Sequence, residues 1–412
     1  MSWKEFIKLK SIFSSLYSRN YRIYFVGQGI SLIGTWMQQI ALSWLVYRLT
    51  GSVFLLGLIG FTSQIPMFIL SPFTGVLTDR FNRLKIMKAA QILFMLQALL
   101  ITLLVLFEII EVWHIITLSI FFGIISAFDA PARQSLVINL IDNPNDLGNA
   151  IALNSAIFNG ARLIGPAIAG VTIAVVGEGI CFLINTLSYV AVIIALMYIK
   201  TGKKQYKTDQ SKFLKSFTEG FKYTFQSIPI KTLIILLAIL SLVGLPYIIL
   251  LPAYAKEILH GGSDTLGYLM SSLGAGALIA ALYMASRKSV IGLGKIISTN
   301  IILLGLGIIL AAFSKQLYLS NIVFFLTGLS MIFTLSSINT LLQTITDEDK
   351  RGRVMSFYSM ALMGIYPLGN LLVGSIASGI SIPYTFLIMG FITILSGLWF
   401  SRAITSLKKD IR

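Results

Sequence analysis

The sequence of 412 residues contains few charged side chains and almost no cysteine or histidine. Asp, Glu, Lys and Arg make up 12% of the chain, against ~25% in an ordinary soluble domain, whereas hydrophobic residues make up 56%. A single cysteine, Cys181, excludes an internal disulfide, and only His114 and His260 are available as imidazole ligands. The sequence also lacks a G-x-x-x-x-G-K-[S/T] phosphate loop. We therefore expect no enzyme, no metal site and no cofactor.

Long apolar runs fill most of the chain instead. Each run is long enough to cross a hydrocarbon core, which takes about 20 apolar residues in a helix. The sequence therefore predicts an all-α membrane protein with twelve transmembrane helices. These are expected at residues 23–47, 54–77, 84–107, 113–138, 148–176, 179–199, 231–256, 265–286, 291–313, 317–343, 353–379 and 383–401.

The net charge of +16 is distributed in a way that argues for membrane lipids as partners and against nucleic acid. Nearly all of the 32 Lys and Arg residues lie in both terminal segments, in alternate loops and in one central polar stretch. By the positive-inside rule, this predicts a multi-pass membrane protein with both termini cytoplasmic. The exceptions are Arg48, Arg162, Lys256 and Lys315.

That central polar stretch predicts the division of the chain. We expect an N-terminal six-helix half at residues 1–199, a cytoplasmic linker at 200–229 and a C-terminal six-helix half at 230–412. Within the linker, one aromatic residue in every four predicts an amphipathic helix at the membrane interface. These residues are Phe213, Phe217, Phe221 and Phe225.

A glycine register suggests that the two halves are related. A shift of 204 positions superposes Gly148 on Gly352, Gly160 on Gly364, Gly165 on Gly369 and Gly170 on Gly374. Transporters are commonly built from such repeats, so we expect two pseudo-symmetric six-helix bundles. The alternative is a chance match, since glycine is frequent in membrane helices.

Two ionisable residues are predicted to lie inside the membrane. Arg162 is about 22 Å from the start of the fifth helix at 1.5 Å per residue, and a cation at that depth is by default a functional residue. Asp129, in the fourth helix, is the deepest carboxylate. We expect Arg162 to bind an anionic substrate group or a coupling acid, and Asp129 to carry protons. A static salt bridge that fixes the bundle remains the alternative.

Polar residues of the first helix form a second candidate set. Gln28, Ser31, Thr35 and Gln38 recur at helical spacing on an otherwise apolar helix, which predicts a stripe facing a cavity. Candidate partners from the second half are Tyr247, Asn339, Gln343, Tyr358, Tyr366 and Asn370.

The loop between the second and third helices carries Gly75-Val-Leu-Thr-Asp79-Arg80-Phe-Asn-Arg83-Leu-Lys85. A carboxylate here can accept hydrogen bonds at a helix N-terminus, although a positive-inside loop is the plainer interpretation. The segment resembles the G-x-L-A-D-R-x-G-R-K signature of the major facilitator superfamily, with Asn82 in place of a glycine and Leu84 in place of a base. The resemblance implies that Gly75, Asp79, Arg80 and Arg83 form a cytoplasmic latch near Gly352.

The fifth helix carries Gly165-Pro166-Ala-Ile-Ala-Gly170, whose proline and small residues suit a hinge or a tight seam. This segment resembles the superfamily's antiporter signature, with Ala161 and Ala169 in place of two glycines. The resemblance implies gating by Gly165, Pro166 and Gly170 in an exporter. A kinked packing helix without directional meaning is the alternative.

Three further segments resemble bacterial exporters of the enterobactin-exporter and macrolide-efflux type. They are Phe128 to Ser135, Tyr24 to Ser31 and Asn159 to Pro166. The resemblance implies a secondary transporter of a bacterial cytoplasmic (inner) membrane, expected as a monomer. It implies export of a siderophore or a drug by alternating access and proton antiport. A lipid transporter or scramblase of the same fold is the alternative, and a non-transporting sensor or scaffold is a weaker one.

Overall fold

The computed structural model describes residues 13–199, 221–287 and 289–407, apart from the side chains of 72, 75–80 and 404–407. Within these ranges all regular structure is helical, as expected. The twelve long helices are α1 (Arg19–Thr50), α2 (Val53–Arg80), α3 (Arg83–Leu106), α4 (Val112–Asn139), α5 (Leu147–Val176), α6 (Glu178–Tyr198), α7 (Ile228–Ile258), α8 (Ser263–Ser286), α9 (Leu293–Phe313), α10 (Leu317–Ile345), α11 (Arg351–Ile380) and α12 (Ile382–Leu407).

The prediction of twelve membrane-crossing helices is confirmed. In the described part of the chain, eleven helices are long and apolar enough to span a bilayer. The remaining one, α1, has 32 residues and is about 48 Å long at 1.5 Å per residue. It is less apolar because it carries glutamines, and two of these, Gln28 and Gln38, are only 4% exposed. Their amides therefore avoid the hydrocarbon.

The first of two compact units contains the described residues of Met1–Leu42 and Pro66–Thr208. Its core joins α1, α3, α4 and α6 through aromatic and aliphatic side chains. The ring of Phe94 stacks on that of Tyr189 at 5.7 Å, and the Tyr21 hydroxyl donates to the carbonyl oxygen of Ala150 at 2.8 Å. The start of α5 is therefore anchored to α1.

The second compact unit contains Ser43–Ile65 and the described residues of Asp209–Arg412. The end of α1, the beginning of α2 and the turn between them therefore pack with α7 and α11. We call residues 43–65 the α1–α2 hairpin. The Tyr47 hydroxyl donates to Glu257 of α7, and a Cβ on Gly374 of α11 would lie 2.9 Å from the Cα of Gly57. The halves 1–199 and 230–412 stay a prediction.

The regular hydrogen bonding of α7 and α11 is interrupted. In α7 an α-helical segment, Ile228–Ile239, is followed by a π turn at Leu240–Gly244 and a 3-10 turn at Pro246–Leu250. Pro246 lies at this change and has no N–H to continue the ladder. A π turn at Met360–Gly364 interrupts α11.

Equivalent glycines make equivalent contacts in the two bundles. A Cβ on Gly165 of α5 would lie 3.1 Å from the carbonyl oxygen of Ile33 in α1. A Cβ on Gly369 of α11 would lie 2.6 Å from the carbonyl oxygens of both Ser241 and Leu242 in α7. Gly165 and Gly369, which the 204-residue shift superposes, thus let α5 approach the backbone of α1 and α11 approach the backbone of α7. This correspondence supports the duplication.

The end of the predicted amphipathic helix packs on protein. Residues 221–226 are helical, while Phe213 and Phe217 lie outside the described residues. The rings of Phe221 and Phe225 are 4.4 Å apart and lie 6.1 and 6.4 Å from Phe357 of α11. Tyr223 donates to the Asp347 carboxylate at 3.0 Å, and burial raises the pKa of Tyr223. These contacts tie the described end of the linker to α11 and to the loop before it.

Candidate functional site

Asp129 lies in a buried polar cluster of the first unit. It is 5% exposed, and its two carboxylate oxygens have different partners. The side-chain nitrogen of Gln91 in α3 donates to Oδ1 at 2.8 Å, and Arg133 Nε lies 3.4 Å from Oδ2. Because Arg133 is one helical turn further along α4, the ion pair forms within one helix. The four-residue spacing of Asp129 and Arg133 agrees with this ion pair. The hydrogen bond from Gln91 was not predicted.

Arg162 forms a second cluster, with aromatic partners. Its guanidinium carbon lies 5.6 Å from the ring centroid of Trp36 in α1, within the range of a cation–π contact. Trp36 in turn meets the ring of Phe158 edge-on, at 5.8 Å and 72°. Neither aromatic residue was predicted, although Phe158 stands one helical turn before Arg162 and could have been found from that spacing.

The polar stripe of α1 faces the interior of the first unit. Gln38 donates to the Gln97 side chain at 3.1 Å and accepts from the Asn185 amide at 2.6 Å. The Thr35 hydroxyl lies 3.3 Å from that of Tyr189. Gln38 and Thr35 therefore join α1 to α3 and α6, whereas the cavity that the stripe was expected to face stays a prediction. Direct contact of Gln28, Thr35 and Gln38 with a substrate stays a prediction.

The glycine and proline residues of α5 form a tight seam against α1. Gly165, Pro166 and Gly170 are all buried. A Cβ on Gly165 would lie 2.6 Å from the Cβ of Trp36. Despite Pro166, α5 is a single helix. This geometry agrees with a sealed seam, whereas the proposed gating role stays a prediction.

The α2–α3 connection is described only in part. The side chains of Gly75, Asp79 and Arg80 lie outside the described residues, so the latch stays a prediction. Arg83 is the first residue of α3. Before it, Asn82 accepts hydrogen bonds from the backbone nitrogens of Leu84 and Lys85 at 3.0 and 3.3 Å. The asparagine that replaces the signature glycine is therefore a helix cap.

Residues suggested as partners from the second half have different environments. Tyr247 is fully buried and stacks on Phe324 at 6.1 Å. Asn370 is 1% exposed and lies against Gly60 of the α1–α2 hairpin. Gln343 donates to the Asn339 side chain at 2.6 Å in an exposed position. Among the residues described, no group of three His, Cys, Asp or Glu side chains could hold a metal ion.

A helical bundle that holds a carboxylate and a guanidinium within its membrane-spanning part is typical of a polytopic transporter. Comparison with known families agrees with this class. A model described as transmembrane secretion effector matches residues 10–409, and the chain belongs to that family of the major facilitator superfamily. The predicted fold and family are therefore confirmed.

The relatives are transporters. The chain is 28% identical over 376 residues to the staphyloferrin A transporter of Staphylococcus aureus, covering 90% of this chain and 93% of that protein. It is 22% identical over 369 residues to macrolide efflux protein A of Streptococcus pyogenes, covering 88% and 91%. The solved structure of the nucleoside transporter NupG superposes with a TM-score of 0.74 at 11% identity, covering 94% and 99%. That structural likeness supports the fold.

Proposed function

We propose that this protein exports a small organic molecule by proton antiport, with Asp129 as the residue that carries the proton. The observation that carries the proposal is the bonding of the Asp129 carboxylate. It lies in a membrane-spanning helix, is almost fully buried, and contacts one cation and one amide. Ionisable groups at such positions mark proton and substrate paths in transporters.

A proton arriving at Asp129 would change the bonding of its partners. The charged carboxylate accepts from Gln91 and offsets the charge of Arg133. Protonation removes that negative charge and leaves the Arg133 cation without its compensation. Because the Arg133 side chain is already 29% exposed, it can then turn toward water or toward another anion. Proton binding is thereby coupled to a movement of α4 side chains.

The remaining site residues take the following proposed roles. Arg162 of α5 binds an anionic group of the substrate, and Gln28, Thr35 and Gln38 of α1 belong to the same substrate and coupling site. Gly165, Pro166 and Gly170 seal α5 against α1 while the conformation changes. Gating at the cytoplasmic end is assigned to Gly75, Asp79, Arg80 and Arg83.

The transport cycle we propose is alternating access by a monomer in a bacterial inner membrane. The halves are residues 1–199 and 230–412, joined by the linker 200–229, with both termini in the cytoplasm. The names of two relatives, for staphyloferrin A transport and for macrolide efflux, support a siderophore or a drug as substrate.

The test of the proton-carrier role is an Asp129→Asn variant in proteoliposomes. Asparagine keeps the side-chain shape and an acceptor for Gln91 but cannot bind a proton. We expect substrate-coupled proton movement to be lost while the protein still inserts and folds. Asp142→Asn, the same change at an exposed position beyond α4, should transport normally. Proton-coupled transport by Asp129→Asn at the unaltered rate would refute the role of Asp129.

The substrate is identified by profiling the medium of a deletion strain under iron-replete and iron-starved conditions. A missing iron chelator supports the siderophore, and increased antibiotic sensitivity with unchanged medium supports the drug. Lipid movement between vesicle leaflets that needs no ion gradient would contradict antiport and identify a scramblase.

A further inference from the structure

The first half of α5 exposes a face that mixes polar, aromatic and cationic side chains. Ser155, Phe158, Asn159 and Arg162 recur at three- and four-residue spacing and therefore project from one side of the helix. Ser155 and Phe158 are exposed, the latter by 43%, whereas Asn159 and Arg162 are half-buried. The Asn159 amide nitrogen donates to the Ser155 carbonyl at 2.8 Å, which holds this side chain along the face.

Another exposed face of α5 has the composition expected against lipid. It consists of Ile164, Ile168, Val171 and Val175, all branched hydrocarbons. At ~100° per residue they project from the side opposite Arg162. A cation facing hydrocarbon is costly, so the face that carries Arg162 borders water instead. Phe158 lies between polar residues on that face and borders the same water.

The exposed face of α5 ends at the level of Arg162. Beyond it, the residues on that side of the helix are buried, including Gly165, Pro166 and Ala169. Gly165 is in close contact with Trp36. Arg162 and Trp36 therefore lie where a water-lined surface meets a closed seam, which is a place where a substrate group would stop.

We propose that Trp36 and Phe158 determine substrate specificity, and that with Arg162 they select an organic anion carrying an apolar or aromatic ring beside its anionic group. This proposal rests on the proposed function, since it takes Arg162 as the anion site. The 5.6 Å cation–π contact and the 5.8 Å ring contact join the three side chains into one surface. An aromatic ring stabilises a guanidinium without cancelling its charge, so the cation keeps its attraction for an anion.

The charge and the rings of this surface exclude other substrate classes. Arg162 is the sole charged residue of α5, so α5 offers a counter-charge to one anionic group. A ringless polycarboxylate would leave its other charges without a counter-charge from α5 and would leave the two aromatic rings uncovered. A cationic amphiphile would meet the positive charge of Arg162. An anion with a ring uses both parts of the surface.

The experiment measures binding of matched probes to the purified full-length protein in nanodiscs. The probes are 2-naphthoate, which has a ring and a charge, 2-naphthalenemethanol, which has the ring alone, and citrate, which has charges alone. Fluorescence anisotropy reports the two naphthyl compounds, and citrate is added as a competitor. We expect 2-naphthoate to bind more tightly than 2-naphthalenemethanol and citrate to compete weakly.

Variants assign the binding to these residues. Trp36→Leu and Phe158→Leu should each weaken 2-naphthoate binding roughly three- to tenfold, as expected for loss of one aromatic contact. Trp36→Phe keeps a ring and should retain most of the affinity, which separates lost contact from misfolding. Arg162→Gln should abolish the preference for 2-naphthoate over 2-naphthalenemethanol. Phe121→Leu, an exposed phenylalanine of α4, is the matched control and should bind normally.

Several results would overturn the assignment. These are citrate binding more tightly than 2-naphthoate, no detectable 2-naphthoate binding, or equal binding by wild type, Trp36→Leu and Phe158→Leu. The proposed antiport is tested separately, since its failure would abolish proton-coupled transport while leaving the probe preference intact. Conversely, active antiport with no ring preference would refute the specificity assignment alone.

Discussion

Replacing Gly374 with alanine should loosen the attachment of the α1–α2 hairpin to α11. An added Cβ would lie 2.9 Å from the Cα of Gly57, 3.1 Å from the carbonyl oxygen of Val53 and 3.2 Å from the backbone nitrogen of Gly57. All three atoms belong to the main chain, so no flexible side chain can move aside. The hairpin itself must shift away from α11.

The sign of the effect follows from two opposing contributions. Overpacking of a tight contact costs ~1–3 kcal/mol. An alanine in place of a glycine inside a helix returns about 1 kcal/mol of helix propensity. The net cost of keeping the hairpin attached is therefore near 1 kcal/mol, which raises the detached population roughly fivefold.

Thiol labelling measures this population. Val53 is 8% exposed at the start of α2, and in a Val53→Cys background it should react slowly with a hydrophilic maleimide. The native thiol, Cys181, is buried and provides the blank. Adding Gly374→Ala should accelerate labelling about fivefold in nanodiscs, where both faces of the protein are accessible.

The matched control is Gly379→Ala, on the same helix, where an added Cβ meets no atom within 4 Å. This change gains the same helix propensity without the clash, so the labelling rate should stay unchanged. Equal rates for Gly374→Ala and Gly379→Ala, or slower labelling of Gly374→Ala, would refute the idea that this glycine contact attaches the hairpin.

Two further predictions concern hydrogen bonds. Tyr47→Phe removes the hydrogen bond to Glu257. Because Glu257 is exposed, the loss should weaken the attachment of the hairpin by only about 1 kcal/mol. Val53→Cys should then be labelled faster, and the effect should add to that of Gly374→Ala. Labelling at the wild-type rate would contradict it. Asn185→Leu leaves the buried Gln38 oxygen without its donor and should lower the free energy of unfolding by ~1–3 kcal/mol. Thermal denaturation measures this loss. An unchanged melting temperature would show that this hydrogen bond does not stabilise the bundle.

The existence of the helices could be predicted from the sequence, whereas their internal breaks could not. Apolar length is a property of each segment by itself, and it placed all twelve helices. Proline is a weaker guide, because Pro131 and Pro166 lie inside helices that continue through them while Pro246 coincides with a break. At Pro246 the neighbouring carbonyls face Gly369, a residue more than a hundred positions away. Which proline breaks its helix therefore depends on a partner that local sequence does not contain.

The same limit applies to the candidate site. The sequence identified Asp129 and Arg162, because a charge in an apolar run is visible without any partner. It identified the polar stripe of α1 but not the partners of that stripe, because polarity shows that a face needs hydrogen bonds but not where they come from. The partners of Gln38 are Gln97 and Asn185, on two other helices. Long-range pairing of amides is set by packing, which helical periodicity does not encode.

Asp129 and Arg162 have different surroundings within the first unit, and the difference fits the proposed division of labour. Asp129 has an ion-pair partner, Arg133, so its charge is largely offset at short range. A proton can replace that offset, since either Arg133 or a proton neutralises the carboxylate. Arg162 contacts the ring of Trp36, which lowers the cost of burying the cation while its positive charge persists. A carboxylate that exchanges a proton requires a partner that the proton can replace, as Arg133 is for Asp129. A guanidinium that attracts an anion requires surroundings that leave its charge in place, as the ring of Trp36 does for Arg162.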